Sequence, residues 1–129
     1  MIGAGHISQI LCQLATQIGL DTIIIDPRPV FATAERFPGI TLKIGWPQDS
    51  LPDMLIDAQT ALVTLTHDPK IDDPALQYAL QTDAYYIGCL GSRRTHQARM
   101  QRLAEHGISE QQLARLHGPV GLALGGRAA

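Results

Sequence analysis

The sequence predicts an α/β domain of the doubly wound class: a parallel sheet held between two helical layers in a three-layer αβα sandwich. Three observations carry this. Short β-branched runs alternate with longer stretches of helical period. A glycine-rich turn, Gly3-Ala4-Gly5-His6, stands immediately before the first helical stretch. The 129 residues leave room for a single domain, 1–129, which should bury about two-thirds of its unfolded surface and so needs neither disulfides nor a structural metal.

The elements follow in order. From Ile7, the apolar residues Ile10, Leu11, Leu14 and Ile18 fall at helical spacing, and Gly19 stands where a left-handed stop is expected. Thr22-Ile23-Ile24-Ile25 reads as a buried strand with Asp26 at its exit, and Pro27-Arg28-Pro29 forbids its continuation. Thr41 to Ile44 forms a weaker strand, after which Asp49-Ser50 read as the cap of a short helix carrying Leu51, Met54 and Leu55. Ala61 to Leu65 is another buried strand and runs into Thr66-His67-Asp68-Pro69. Asp73 and Pro74 read as cap and first turn of the helix carrying Leu76, Ala79 and Leu80. Tyr85 to Leu90 is the next strand and ends in Gly91-Ser92, where the serine caps a helix from Arg93 or Arg94. Ser109-Glu110 opens a last short helix, followed by the glycine-punctuated segment His117-Gly118-Pro119-Val120-Gly121-Leu122.

Only Met1 and Ile2 precede Gly3, whereas a strand of about five residues normally leads into such a turn, so the first strand is expected to be truncated. The chain accordingly reads as a fragment of a longer protein or one with a mis-set start. A sheet lacking its proper first strand exposes its neighbours, from which a homodimer is expected.

Composition excludes several classes. A net charge of −2, with ten basic and twelve acidic residues dispersed along the chain, offers no field for nucleic acid or an anionic membrane. No apolar run approaches the roughly 20 residues that span a bilayer, and no charged leader precedes one. Cys12 and Cys89 lie in apolar stretches and read as buried small hydrophobes of a reducing compartment, which points to a soluble cytoplasmic domain. The five histidines are scattered and neither cysteine has a partner at ligand spacing, so no metal site is expected. No serine or cysteine sits in a nucleophile-elbow pattern, and no catalytic residue is expected.

What remains is binding. Gly3 and Gly5 permit a tight turn and close approach of backbone to phosphate, with Ala4 and His6 inside the same turn at the positive end of a helix. Ser8 stands where the third glycine of a dinucleotide fingerprint would be. Asp26, about 20 residues on, occupies the position that receives ribose hydroxyls, and Arg28 is placed to meet a phosphate, which leaves NAD and NADP both open. His67 and Asp68 should project at the same sheet edge, where an imidazole and an acid can move protons or simply brace a loop. Gly88, Gly91 and Ser92, followed by Arg93 and Arg94, form a second candidate anion cradle at a helix start.

Gly3-Ala4-Gly5-His6, Asp26-Pro27-Arg28-Pro29, Phe31-Ala32-Thr33 with Glu35-Arg36-Phe37, and Leu65-Thr66-His67-Asp68-Pro69-Lys70 resemble the carboxyl-terminal Rossmann domain of the XdhC/CoxI family. Tyr86-Ile87-Gly88, Leu90-Gly91-Ser92-Arg93-Arg94-Thr95 and the segment from His117 extend the resemblance over nearly the whole chain. It implies a Rossmann-like fold and an accessory protein that binds the molybdenum cofactor (molybdopterin) and hands it to an apo molybdenum hydroxylase of the xanthine dehydrogenase kind. A cysteine desulfurase is a further partner it implies. The family's amino-terminal domain, with its own cysteine, is absent here. The family's closing Gly-Leu-Asp-Ile-Gly reads Gly121-Leu122-Ala123-Leu124-Gly125 in this chain. The alternatives are an NAD(P)-dependent oxidoreductase and a nucleotide-sensing regulatory domain.

Overall fold

The computed structural model describes residues 1–118. The expected loop from 119 to 122 and the motif at 121–125 lie outside the described residues. Five strands are present: β1 (Ile23–Asp26), β2 (Thr41–Ile44), β3 (Ala61–Thr64), β4 (Tyr86–Cys89) and the short β5 (Leu116–His117). Every pairing is parallel. β1 pairs β2 from Ile23–Thr41 to Asp26–Ile44, β3 pairs β4 from Ala61–Tyr86 to Thr64–Cys89, and β4 pairs β5.

These two groups become one sheet through a single residue. Ile2 bridges Ile25 of β1 on one side and Thr64 of β3 on the other, so the expected first strand exists only as a stub. The stub is nonetheless fully bonded. Ile2 N donates to Val63 O at 2.8 Å and Leu65 N to Ile2 O at 2.9 Å, while Ile25 N donates to Met1 O and Gly3 N to Ile25 O, both at 2.9 Å. The spatial order is therefore β2-β1-stub-β3-β4-β5. The chain winds outward from the stub to one side and then to the other, which makes the stub the topological switch point where such sheets bind ligands.

Helices cover both faces. α1 (His6–Gln17) packs with Ile24, Ala32 and Phe37, whereas α3 (Pro69–Ala79), α4 (Arg93–Glu105) and the short α5 (Glu110–Leu113) pack with Ile2, Ile25, Leu62 and Ile87. Adjacent Ile24 and Ile25 thus serve opposite cores, as the period of a strand requires. α1 turns its small residues inward: Ser8 and Cys12 are buried, while Ile7, Ile10, Leu14 and Ile18 lie 42–74% exposed. Among the described residues no helix is long and apolar enough to cross a membrane.

Two expected helix starts are corrected. α2 (Pro47–Ser50) begins two residues before Asp49, with Trp46 at its cap, and a 3-10 turn over Leu51–Asp53 follows. Pro47 presets the first-turn dihedral, so Asp49 and Ser50 fall inside the helix rather than at its cap. α3 begins at Pro69, not at Pro74, because the Asp68 carboxylate accepts from Lys70 N at 3.0 Å and caps the earlier turn. Pro74 then lies inside α3 at the cost of one backbone bond. The caps at Ser92 and Ser109 stand where the sequence places them, the latter as a full capping box with Gln112.

Gly3 has φ +112°, and a β-carbon there would stand 2.5 Å from Thr66 Cγ2. Gly3→Ala should cost about 2–4 kcal/mol of unfolding free energy, the sum of left-handed strain and overpacking, as read from urea denaturation. Gly5→Ala, at φ −90° with nothing within 4 Å of the added carbon, should change stability by less than about 1 kcal/mol.

Candidate functional site

The stub, β1 and β3 end together, and the residues leaving them meet at the carboxyl edge of the sheet, where domains of this class place their binding crevice. Its hub is Asp26, fully buried at the end of β1. One carboxylate oxygen accepts from Ala4 N and from an Arg28 Nη2, both at 2.8 Å, and the other accepts from Arg28 N and Nε, both at 2.9 Å. Four donors fill the acceptor capacity of an ionised carboxylate. Burial alone would raise its pKa, but the Arg28 and Ala4 hydrogen bonds and the Arg28 charge outweigh this and hold it below the usual carboxylate range. Asp26 and Arg28 therefore work on each other and on the turn. Arg28 also lies 4.7 Å from the Phe31 ring centroid.

Arg36, which sequence reasoning noted only as part of a motif, reaches the same turn. Its guanidinium donates to Ala4 O at 2.7 Å, to Phe31 O, and to Gln9 Oε1 at 3.2 Å, fastening the 28–37 loop over the start of α1. Across the crevice Thr66 stands against Gly3 and donates to Asp72 Oδ1 at 2.6 Å, while His67 N donates to Asp72 Oδ2 at 3.0 Å. Asp72 is buried, and burial raises its pKa despite those bonds and the charge of Arg99. Nothing in the sequence distinguished Asp72 from a solvated helix residue. The bonds to its carboxylate hold His67 at φ +65°, a conformation rare outside glycine, with the side chain exposed toward solvent. Asp68 is occupied as the α3 cap.

The free groups lie at the start of α1. Its cap residue is Gly5, no side chain caps it, and its first turn contains no acidic residue. Gly3 N is spent on Ile25 O and Ala4 N on Asp26, but the amides of His6 and Ile7 at the helix end have no acceptor among the described residues. His6 is exposed beside them, and the space above Gly5 is open. This arrangement can receive an anion.

The second turn lies at the end of β4. Gly88 is buried inside β4, opposite Val63 and His117, and so stays within the sheet. Gly91, Ser92, Arg93 and Arg94 do cluster at the head of α4, where Ser92 Oγ accepts from Thr95 N at 3.1 Å and both arginines are exposed. Cys89 lies behind them; burial pushes its thiol up to about 11, so it is neutral at physiological pH and no nucleophile. His117 stacks on Tyr86 with ring centroids 4.8 Å apart, a packing role. No cluster of metal-ligating side chains occurs among the described residues. A groove of about 300 Å³ runs along the flank of α1 past Gln9, Gln13, Arg36 and Phe37, away from the turn residues.

Comparison with known proteins agrees with the fold. The family described as the XdhC Rossmann domain matches residues 1–129. The chain is 33% identical over 115 residues to the molybdenum cofactor insertion chaperone PaoD of Escherichia coli, covering 89% of this chain and 30% of that one. It is 29% identical over 126 residues to a Bacillus subtilis protein named as a probable xanthine dehydrogenase subunit, covering 97% of this chain and 36% of that one. A crystal structure described as a xanthine dehydrogenase from Bacillus halodurans superposes with a TM-score of 0.77 at 28% identity, over 92% of this chain and 34% of that one. The chain thus spans about a third of the length of these proteins.

Removing the hub should be costly. Asp26→Ala leaves Ala4 N without its acceptor and Arg28 without its partner, and should lower unfolding free energy by about 2–4 kcal/mol in urea titrations. The folded Asp26 pKa is depressed below its unfolded value of about 3.9. Its contribution is therefore complete above that value and is lost as pH falls through the folded pKa, so the acid-induced loss of stability below about pH 4 should be smaller in Asp26→Ala than in the parent.

Proposed function

Since the chain belongs to the XdhC Rossmann-domain family, we propose that it binds the molybdenum cofactor and passes it to an apo molybdenum hydroxylase of the xanthine dehydrogenase type. The single observation that carries this is the uncapped amino end of α1 at the switch point of the sheet. Molybdopterin is a fused pterin ending in a phosphate, or in a pyrophosphate when joined to a nucleotide. Such a tail suits free amides at the positive end of a helix, with Gly5 leaving room for close approach. The pterin ring, flat with polar edges, suits the crevice beside His67. The relative named as a molybdenum cofactor insertion chaperone supports the same reading.

The chain's own residues supply binding and orientation. Asp26, Arg28 and Arg36 hold the turn rigid, and Thr66 and Asp72 shape the opposite wall. An oxidoreductase using NAD(P) would need an acceptor for a ribose diol. Asp26, the residue placed for that work, is buried with every acceptor site filled.

Gly5→Val tests the role of the turn, because its backbone conformation is open to any residue and the added side chain meets only the crevice. Titration of the purified protein with molybdopterin, followed by cofactor fluorescence, should show affinity about tenfold weaker in the variant while its melting temperature is retained. Unchanged affinity would remove the turn from the binding site. Tight, saturable NADH binding by the parent, with none of molybdopterin, would overturn the function itself.

A further inference from the structure

The head of α4 is built against its own electrostatics. The amino end of a helix carries about half a positive charge and favours acidic side chains. The first turn of α4 has none and opens with two exposed arginines, Arg93 and Arg94. Neither takes part in an ion pair; the pairs found among the described residues are Asp26–Arg28 and Asp73–Arg102. Ser92 accepts the Thr95 amide, and His96 N bonds Ser92 O, so the Arg93 and Arg94 amides are left pointing out of the helix end.

A second, independent observation lies beneath that end. Arg99 sends its side chain back toward the start of α4, as helical side chains do. Its Nη2 donates to Leu90 O at 3.0 Å and lies 3.4 Å from where a β-carbon on Gly91 would stand. Arg99 is only 2% exposed, yet its Nη1 contacts are Cys89 Sγ at 2.9 Å and His96 Nδ1 at 3.2 Å, and its Nε has no partner among the described residues. The carboxylate that feels its charge, Asp72, is held by Thr66 and His67. Among the described residues this buried guanidinium has hydrogen-bond partners but no ion pair, so its positive charge remains available to an anion above it. Gly91, at φ +149°, presents bare backbone directly over it.

The geometry points to a phosphate seat at Gly91-Ser92, formed by the Arg93 and Arg94 amides and guanidinium groups above the Arg99 charge, and separate from the glycine turn of α1. The ligand class is a phosphate monoester or diphosphate, whose double negative charge matches a helix end, two exposed cations and one buried cation. Free phosphate and the phosphate tail of a larger cofactor share this chemistry. The seat deepens the cofactor-binding role by adding a second anion site beside the one at the α1 end, and it rests on that reading only for the identity of the natural ligand.

Amide NMR shifts of the labelled protein, titrated with inorganic phosphate and with pyrophosphate at constant ionic strength, test the seat. Saturable shifts are expected at the Arg93 and Arg94 amides. The surface double variant Arg93→Glu/Arg94→Glu should weaken both anions about tenfold or more. Arg99→Met should weaken them as well while keeping the urea midpoint at or above the parent value, because an apolar side chain of similar length replaces an unpaired buried charge. A purely structural Arg99 would do the reverse, losing stability and keeping anion binding, and that result would overturn the seat. So would shifts confined to Gly5 and His6, or affinities that both variants leave unchanged. Molybdopterin that displaces phosphate from these amides would identify the cofactor tail as the occupant. Failure to displace it, with the phosphate shifts intact, supports the seat and assigns it a phosphate ligand other than the cofactor bound at α1. Amides at α4 that stay unmoved while molybdopterin binds elsewhere sink the seat and leave the cofactor reading standing.

Discussion

The carboxylate of Asp26 is the joint on which the crevice is assembled. It is buried at the end of β1 and receives the Ala4 amide of the turn together with the backbone and guanidinium of Arg28. The stub is thereby held to the end of β1 and to the loop that follows it, which Arg36 closes from the other side. An isolated buried carboxylate would cost several kcal/mol, and only a complete set of donors makes such a hub stable. The consequence for binding is an asymmetry along the turn. Its early amides are consumed inside the protein, and the amides of the α1 end are what the crevice presents.

That hub also locks the residues around Ile2, which joins the two halves of the sheet. Ile2 contributes one residue of pairing on each side, but the residues flanking it are locked by Gly3 N to Ile25 O and by Ala4 N to Asp26. Ser8 plays the part that a third glycine plays elsewhere. It is fully buried, and its hydroxyl donates to Gly3 O, drawing α1 close to the turn.

The doubly wound order was legible because it depends on local signals: β-branched runs, proline stops, and the serine caps at Ser92 and Ser109 all stand where the residues place them. Less legible was everything set by long-range contact. The apolar period of α1 identifies a helix, but the close approach at Ser8 and Cys12 turns Ile7, Ile10, Leu14 and Ile18 outward. Asp68-Pro69 and Asp73-Pro74 carry the same cap signal, and only the bond from Lys70 N decides between them. Asp72 and Arg99 read as ordinary polar helix positions, yet both are buried beside the two turns. Buried charges of this kind leave no periodic trace in a sequence, because their partners come from other elements. Asp26 was found by its spacing from the turn, while the bonds that fill it became visible only with the fold in place.

Hydrogen exchange at single-amide resolution tests the central claim directly. If Asp26 organises the turn and leaves the α1 end open, the Ala4 amide should exchange slowly, with protection approaching that of the β1–β2 ladder, while the His6 and Ile7 amides exchange quickly in the free protein. A rapidly exchanging Ala4, or protected His6 and Ile7 amides in the absence of any ligand, would contradict it.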